Sequence, residues 1–476
     1  MFKSLFLNII LILLIHISKG IAQDFSDNVR PFVHFTQSAF AITNVSLVDG
    51  TGAAPQNNMT VVIANGKISR VEHSDQISIT PQTFTIDGTG KTLIPGFVML
   101  HEHIFYTKAF EDEFNVVNMT NTFPRMYLAG GVTTMRTAGS VSPHTDLNID
   151  RFIREGKMIG PKMDVTGPFI ERANNFGIPQ LPILPEGQSA GASVDYWADQ
   201  GCTSFKVYMD ISKDDLKEVV QHAHARGLKV TGHLCSIRYR EAAEIGIDNL
   251  EHGFMTSSDF IDQPVENFCD YFKMRSSLLA LEKDDPEVDS LMKFLISKGV
   301  TLTTTPAVFA PLSHYEIILG GGEQALHPDI LAEVKDFYNR SMIRDSVMTA
   351  MFKKELSWIR KFYDMGGKLV IGTDPTGAGR TIAGYANIWT LEMLIKNGFT
   401  TSQAVRLCTS SGAEYLKRQY ETGSIQKGRA ADMILMEGNL ASDPGSIRHI
   451  EYVFKDGIGY DSKKIFESVK GKVGLY

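Results

Sequence analysis

The chain of 476 residues has only four cysteines, at positions 202, 235, 269 and 408, and no Cys-x-x-Cys pair among them. That excludes an all-cysteine zinc site and a disulfide-built scaffold, leaving individual disulfides open. Isolated cysteines in a chain this long read as small buried hydrophobes. No block of consecutive Lys or Arg stands out either, and 47 basic against 54 acidic residues gives a net charge of -7. Nothing in this pattern would neutralise a phosphate backbone, so nucleic acid is not an expected partner. Proline is sparse at 18, and a 43% hydrophobic, 21% charged composition excludes disorder, collagen and coiled coil. Beyond the first two dozen residues no apolar run is long enough for a bilayer, so no stable membrane span is expected in the mature chain.

What is present begins with MFKSLFLNIILILLIHISKGIAQ, where Lys3 precedes an apolar run that ends near Gly20 and Ala22. The pattern predicts a signal peptide over residues 1–22, cut after Ala22, and hence a secreted or periplasmic protein. The length that remains exceeds one ordinary core, so one large domain and a smaller one are expected.

Residues 37–94 read as short strands. Asn65-Gly66 and Asp87-Gly88 are turn signals between their apolar runs, and the same character returns over 420–476. Each end is too small to bury a sheet face alone, which predicts one small β-sandwich completed by both termini. Between them, over 95–419, eight apolar or β-branched runs alternate with helical patterns: LIPGFVML, GVTTMRTA, KMDVTG, TSFKVYM, LKVTGHL, DNLEHG, VTLTTTP and KLVIGTD. Repeated strand-then-helix order predicts an α/β fold, a (β/α)8 TIM-like barrel, with an open doubly wound sheet as the alternative.

Barrel enzymes keep their chemistry at the C-terminal ends of the strands, and the polar residues there are of one kind. The first run ends in His101-Glu102-His103. Strand period two puts both imidazoles on one side and Glu102 on the other, as a metal site requires. Later runs supply Lys206, His233, His252 and Asp374, each at or near a strand end. Packing needs alone do not place four histidines and an aspartate at the same end of successive strands, so a metal site is expected. Lys206 conflicts with it, because an ammonium in an apolar strand beside dications suffers both desolvation and repulsion; it must be neutral, paired or chemically modified. Elsewhere, His222 and His224 read as a helix surface, and His34, His73 and His449 fall outside the barrel. Among the loop histidines 144, 314 and 327, His314 is the one placed to reach a substrate.

With these motifs in place, the chain resembles the amidohydrolase superfamily, in the branch of imidazolonepropionase-like and Xaa-Pro or Xaa-Arg dipeptidase-like enzymes. PGFVMLHEH, SFKVY, GHL, LEHG and GTD resemble its strand-end motifs, and GSIQKGRAADMILMEGN resembles its return to the β-sandwich. The resemblance implies that His101, His103 and Asp374 hold one divalent ion and His233 and His252 a second. Lys206, carboxylated by carbon dioxide, would bridge the two. Zinc suits these ligands. It further implies a metal-activated hydroxide attacking the C–N bond of a small-molecule or dipeptide-like substrate, with Asp374 as the catalytic proton acceptor.

Two departures bear on specificity. Where relatives often read Val-Arg-Asp-x-Gly, this chain has Met135-Arg136-Thr137-Ala138-Gly139, and Cys235 stands two residues past His233. Tyr208 shares the inward face with Lys206, and Arg380 lies in the loop after Asp374. With His314, these are the expected substrate contacts, in a deep pocket shaped by loops over 104–124, 167–195 and 307–340. The competing readings are an imidazolonepropionase-like ring opening and a non-catalytic binding protein on the same fold. A homo-oligomer is compatible with all of them.

Overall fold

The structure is a computed structural model, and it describes residues 25–110, 113–173, 178–313, 318–341, 346–376 and 380–474. The predicted signal peptide and His314 lie outside the described residues. Among these residues no helix is long and apolar enough to cross a membrane.

Both ends of the chain meet in one nine-stranded sheet. Strands from Val33–Phe35 through Lys91–Pro95 join Met433–Glu437, Ile450–Lys455 and Ile458–Asp461, and Met433–Glu437 pairs antiparallel with Lys91–Pro95. Alternation gives this sheet two buried faces. Met433 and Leu435 pack with Phe40, Val61 and Ile63, while Ile434 and Met436 face the core of the barrel. The Asn65-Gly66 turn follows from its residues: both adopt positive φ, 51° and 73°, as a two-residue hairpin turn demands.

Eight parallel strand positions follow in TIM-like order: β1 (Phe97–Glu102), β2 (Val132–Thr137), β3 (Lys162–Asp164 and Thr166–Ile170), β4 (Ser204–Val207), β5 (Lys229–Gly232), β6 (Asn249–Leu250), β7 (Thr301–Thr304) and β8 (Lys368–Ile371). The strand β3 is interrupted at Val165. Its first part pairs with β2 and its second with β4, so it belongs to both parallel sheets. Past β8, the amides of Thr373 and Asp374 both donate to the His101 carbonyl at the end of β1, at 3.1 and 2.9 Å. Only glycine fits at 372, because an added Cβ would lie 2.6 Å from the His101 amide nitrogen. Crossover helices obey local rules. Pro286–Lys298 is capped by Asp285, has Pro at its first position, ends at Gly299 with φ 72°, and buries Val288, Leu291, Met292 and Leu295 on one face.

Two sequence expectations change here. The segment after His103, read as loop, contains the antiparallel pair Phe105–Phe110 and Glu113–Asn118, which among the described residues forms a sheet of its own. An isolated pair of strands is marginal by itself, so its stability comes from packing at the barrel mouth, which local pattern does not reveal. Of the cysteines read as buried hydrophobes, Cys202 and Cys408 are so placed, but Cys235 and Cys269 form a disulfide that ties the loop after β5 to the loop after β6.

Candidate metal centre and pocket

The six sequence-predicted ligand residues line one cavity of about 170 Å³ at the C-terminal ends of the strands. His101 and His103 both project into it from the end of β1, as period two requires, with ring centroids 5.3 Å apart. The intervening Glu102 points away. It accepts from the Thr373 amide and hydroxyl and from Asn387, locking β1 to the end of β8, and burial pushes its carboxyl up to about 8.

His252 and Asp374 enter differently. Both lie past the regular ends of β6 and β8 in the left-handed region, with φ of 67° and 49°, which turns side chains that would continue the strand alternation toward the cavity. Gly253 then follows at φ 61°, where a side chain would overlap the carboxylate of buried Glu355.

Donor atoms of His101, His252 and Asp374 lie within 4.8 Å of one another. His103 Nε2 is 3.1 Å and His101 Nε2 3.7 Å from Asp374 Oδ1. The His233 ring stands 4.4 Å from that of His252, and Lys206 Nζ stands 3.4 Å from His101 Nε2. Burial, with Lys206 nearby, lowers His101 to about 4; burial likewise holds His233 and His252 well below the usual imidazole value, so all three are neutral near pH 7, the form that binds metal. Burial alone would raise Asp374, but the facing His101, His103 and His252 hold its carboxyl well below the ordinary range. Burial also lowers Lys206 to about 8 against the pull of Glu251 and Asp374. Among the described residues, the buried Nδ1 of His103 has no hydrogen-bond partner. Neutral imidazoles, an ionised carboxylate and an unsatisfied ring nitrogen fit a divalent metal ion.

One buried partner escaped the sequence reading. Glu251 Oε2 accepts from His101 Nδ1 at 2.7 Å, while Oε1 takes Arg136 Nη2 at 2.6 Å and the Thr231 hydroxyl. Burial would raise this carboxyl, yet His101 and Arg136 hold it well below its usual value. The Met135-Arg136-Thr137 segment carries no carboxylate of its own, and the partner of Arg136 comes from beyond β6. An acidic residue directly preceding His252 was the only available signal.

Among the expected substrate contacts, Tyr208 lines the cavity, its ring 4.9 Å from His233. Arg380 is not among the lining residues; its charge acts on Tyr106, whose side chain lies on the other face of the 105–118 hairpin from Phe105 and Thr107 of the wall. The helix histidines are half-exposed and paired, His222 with Asp195 and His224 with Asp248.

Comparison with known proteins gives the family and the fold. Residues 92–460 match the model of the amidohydrolase family. The chain is 20% identical over 435 residues to an imidazolonepropionase of Alkaliphilus metalliredigens, covering 87% of this chain and 90% of the relative. Its fold is similar to a crystal structure of a Xaa-Pro dipeptidase with bound methionine in the active site (TM-score 0.64, 19% identity, 89% of this chain and 100% of that one). It is also similar to A. niger ochratoxinase (TM-score 0.61, 16% identity, 89% and 95%). The chain belongs to the amidohydrolase family. It is a hydrolase acting on carbon–nitrogen bonds.

Proposed function

We propose that this protein is an exported, metal-dependent amidohydrolase that cleaves the amide bond of a small dipeptide-like substrate. The observation that carries the reading is the convergence of four imidazoles, Asp374 and Lys206 on one cavity. His101, His103 and Asp374 would hold one divalent ion, and His233 and His252 a second, with zinc the ion favoured by these donors. When bound, such ions supply a water acidic enough to attack near neutral pH and polarise the scissile carbonyl.

The chain's own residues do the rest. Lys206, lowered to about 8, has an appreciable neutral fraction. A neutral amine adds carbon dioxide to give a carbamate anion and a proton, which removes the repulsion between its ammonium and the ions. Asp374, ionised and 3.1 Å from His103, accepts the proton of the attacking water and returns it to the leaving nitrogen. Tyr208 borders the space left for substrate. The two parallel sheets, joined at Ser140 and Pro168 and at His101 and Asp374, support a closed eight-stranded barrel over 95–419. The nine-stranded sheet supports a β-sandwich domain from 37–94 and 420–476. Export rests on the N-terminal apolar run and on the Cys235–Cys269 disulfide, which needs an oxidising compartment.

The similarity to imidazolonepropionase supports a second reading, hydrolytic opening of a cyclic amide. A buried lysine facing the imidazoles favours the two-ion, open-chain case. Turnover of metal-loaded protein on dipeptides, N-acyl amino acids and lactams separates them. Cleavage of open-chain amides is expected, and cleavage of lactams alone would replace the first reading by the second.

A further inference from the structure

The apolar part of the cavity wall does not come from the barrel strands alone, and its Phe105 ring lies 4.5 Å from that of His103. Phe105 and Val116 reach it from the 105–118 hairpin, Phe169 from the end of β3, and Ile178 and Leu181 from the loop that follows. Phe105, Phe169 and Leu181 form a buried apolar cluster separate from the main core, with Val116, Ile178 and Tyr208 packed against it. The remaining lining residues, Thr107 and Thr376, are uncharged. Thus, among the described residues, every formal charge facing the cavity belongs to the candidate metal centre.

The wall is also fixed in place. Gln180 bridges loop and hairpin, accepting from the Val116 amide at 3.2 Å and donating to Asn115 at 3.5 Å. Arg172 clamps the base of the same loop, with two bonds to Asp215 at 2.9 and 2.6 Å and one each to the carbonyls of Pro185 and Gln188. The side chains that this wall turns to the cavity are apolar. A charged group against it would be desolvated without a partner, whereas an apolar one gains burial. The cavity that must also take the reacting bond has a volume of about 170 Å³, which leaves room for a small group only.

We infer that the substrate presents a neutral, apolar group no larger than a leucine or phenylalanine side chain beside the scissile bond, selected by the wall of Phe105, Phe169, Ile178 and Leu181. This rests on the amidohydrolase reading of the same site. The test is binding to zinc-loaded protein of four hydroxamic acids that share one chelating head: isobutyl, benzyl, carboxymethyl and aminopropyl, with acetohydroxamic acid measuring the head alone. The isobutyl and benzyl compounds are expected to bind at least tenfold more tightly than the charged pair. In Leu181→Asp and Ile178→Asp, each checked by its melting transition, that ratio is expected to fall at least tenfold. Both residues lie in a loop, so one folded variant is enough for the comparison. Equal or reversed affinities in the parent protein would overturn the inference and leave the metal-centre reading standing, as would an unchanged ratio in a folded variant. Failure of acetohydroxamic acid and all four others to bind would overturn the metal-centre reading and this inference with it.

Discussion

His101 Nδ1 and Glu251 Oε2 stand 2.7 Å apart, both side chains fully buried. Glu251 is ionised, so the imidazole donates through Nδ1 and keeps the Nε2 lone pair directed at Asp374 and Lys206. The tautomer that a metal ligand at His101 would need is thereby set by the protein itself. Arg136 and Thr231 in turn hold the carboxylate.

Glu251→Gln is therefore expected to weaken metal retention by about 10- to 100-fold, the usual effect of removing a carboxylate behind a ligating histidine. It should also destabilise the fold by about 3–5 kcal/mol, because Arg136 would be left buried without its counter-charge. Competition with a metal indicator and a denaturant melt measure the two effects. Undiminished metal affinity would remove Glu251 from the site.

Lys206→Ala should abolish turnover and release metal. Short carboxylic acids should restore part of both, since a small anion can take the place of the carbamate between the cations. Titrating acetate or propionate into the variant while following metal content and turnover tests this. Full activity without added acid would show that the lysine is structural.

Asp374→Asn keeps the shape and loses the proton acceptor. Turnover is expected to fall by about 10²- to 10⁴-fold, with the melting temperature little changed and some metal retained. A variant that melts early but turns over normally when folded would assign Asp374 to structure alone.

Much of this site was legible because its motifs are local. His101 and His103 announce themselves by strand period, and the eight runs of apolar residues mark the strands that bring Lys206, His233, His252 and Asp374 to the same cavity. What could not be read crosses the chain. The Arg136–Glu251 pair spans 115 residues and the Cys235–Cys269 bridge 34, and neither partner carries a periodic signal. The 105–118 hairpin went unrecognised because its stability comes from the barrel mouth beneath it. Arg380 follows Asp374 closely in sequence, but it does not line the cavity, and its charge acts on Tyr106.

Glu355 gives a pH prediction separate from the ligands. Burial pushes its carboxyl up to about 8, against an ordinary value of 4.5, while it accepts from the Phe254 amide at 3.0 Å. Between those pH values the folded state holds a proton that the unfolded state has lost. Its contribution is full below pH 4.5 and is lost as pH rises through about 8. Glu355→Gln should flatten this fall and stabilise the protein at pH 8 relative to the parent. Chemical denaturation from pH 5 to pH 8.5 measures it; parallel curves for parent and variant would contradict the assignment.

The most direct test of the account is elemental analysis of protein purified without chelator, coupled to turnover on amide substrates before and after the metal is removed. The account predicts two divalent ions per chain, with turnover lost on chelation and regained when zinc is restored. A single ion with Lys206 unmodified would contradict the two-ion centre, and turnover undiminished in metal-free protein would contradict the metal-dependent chemistry as a whole.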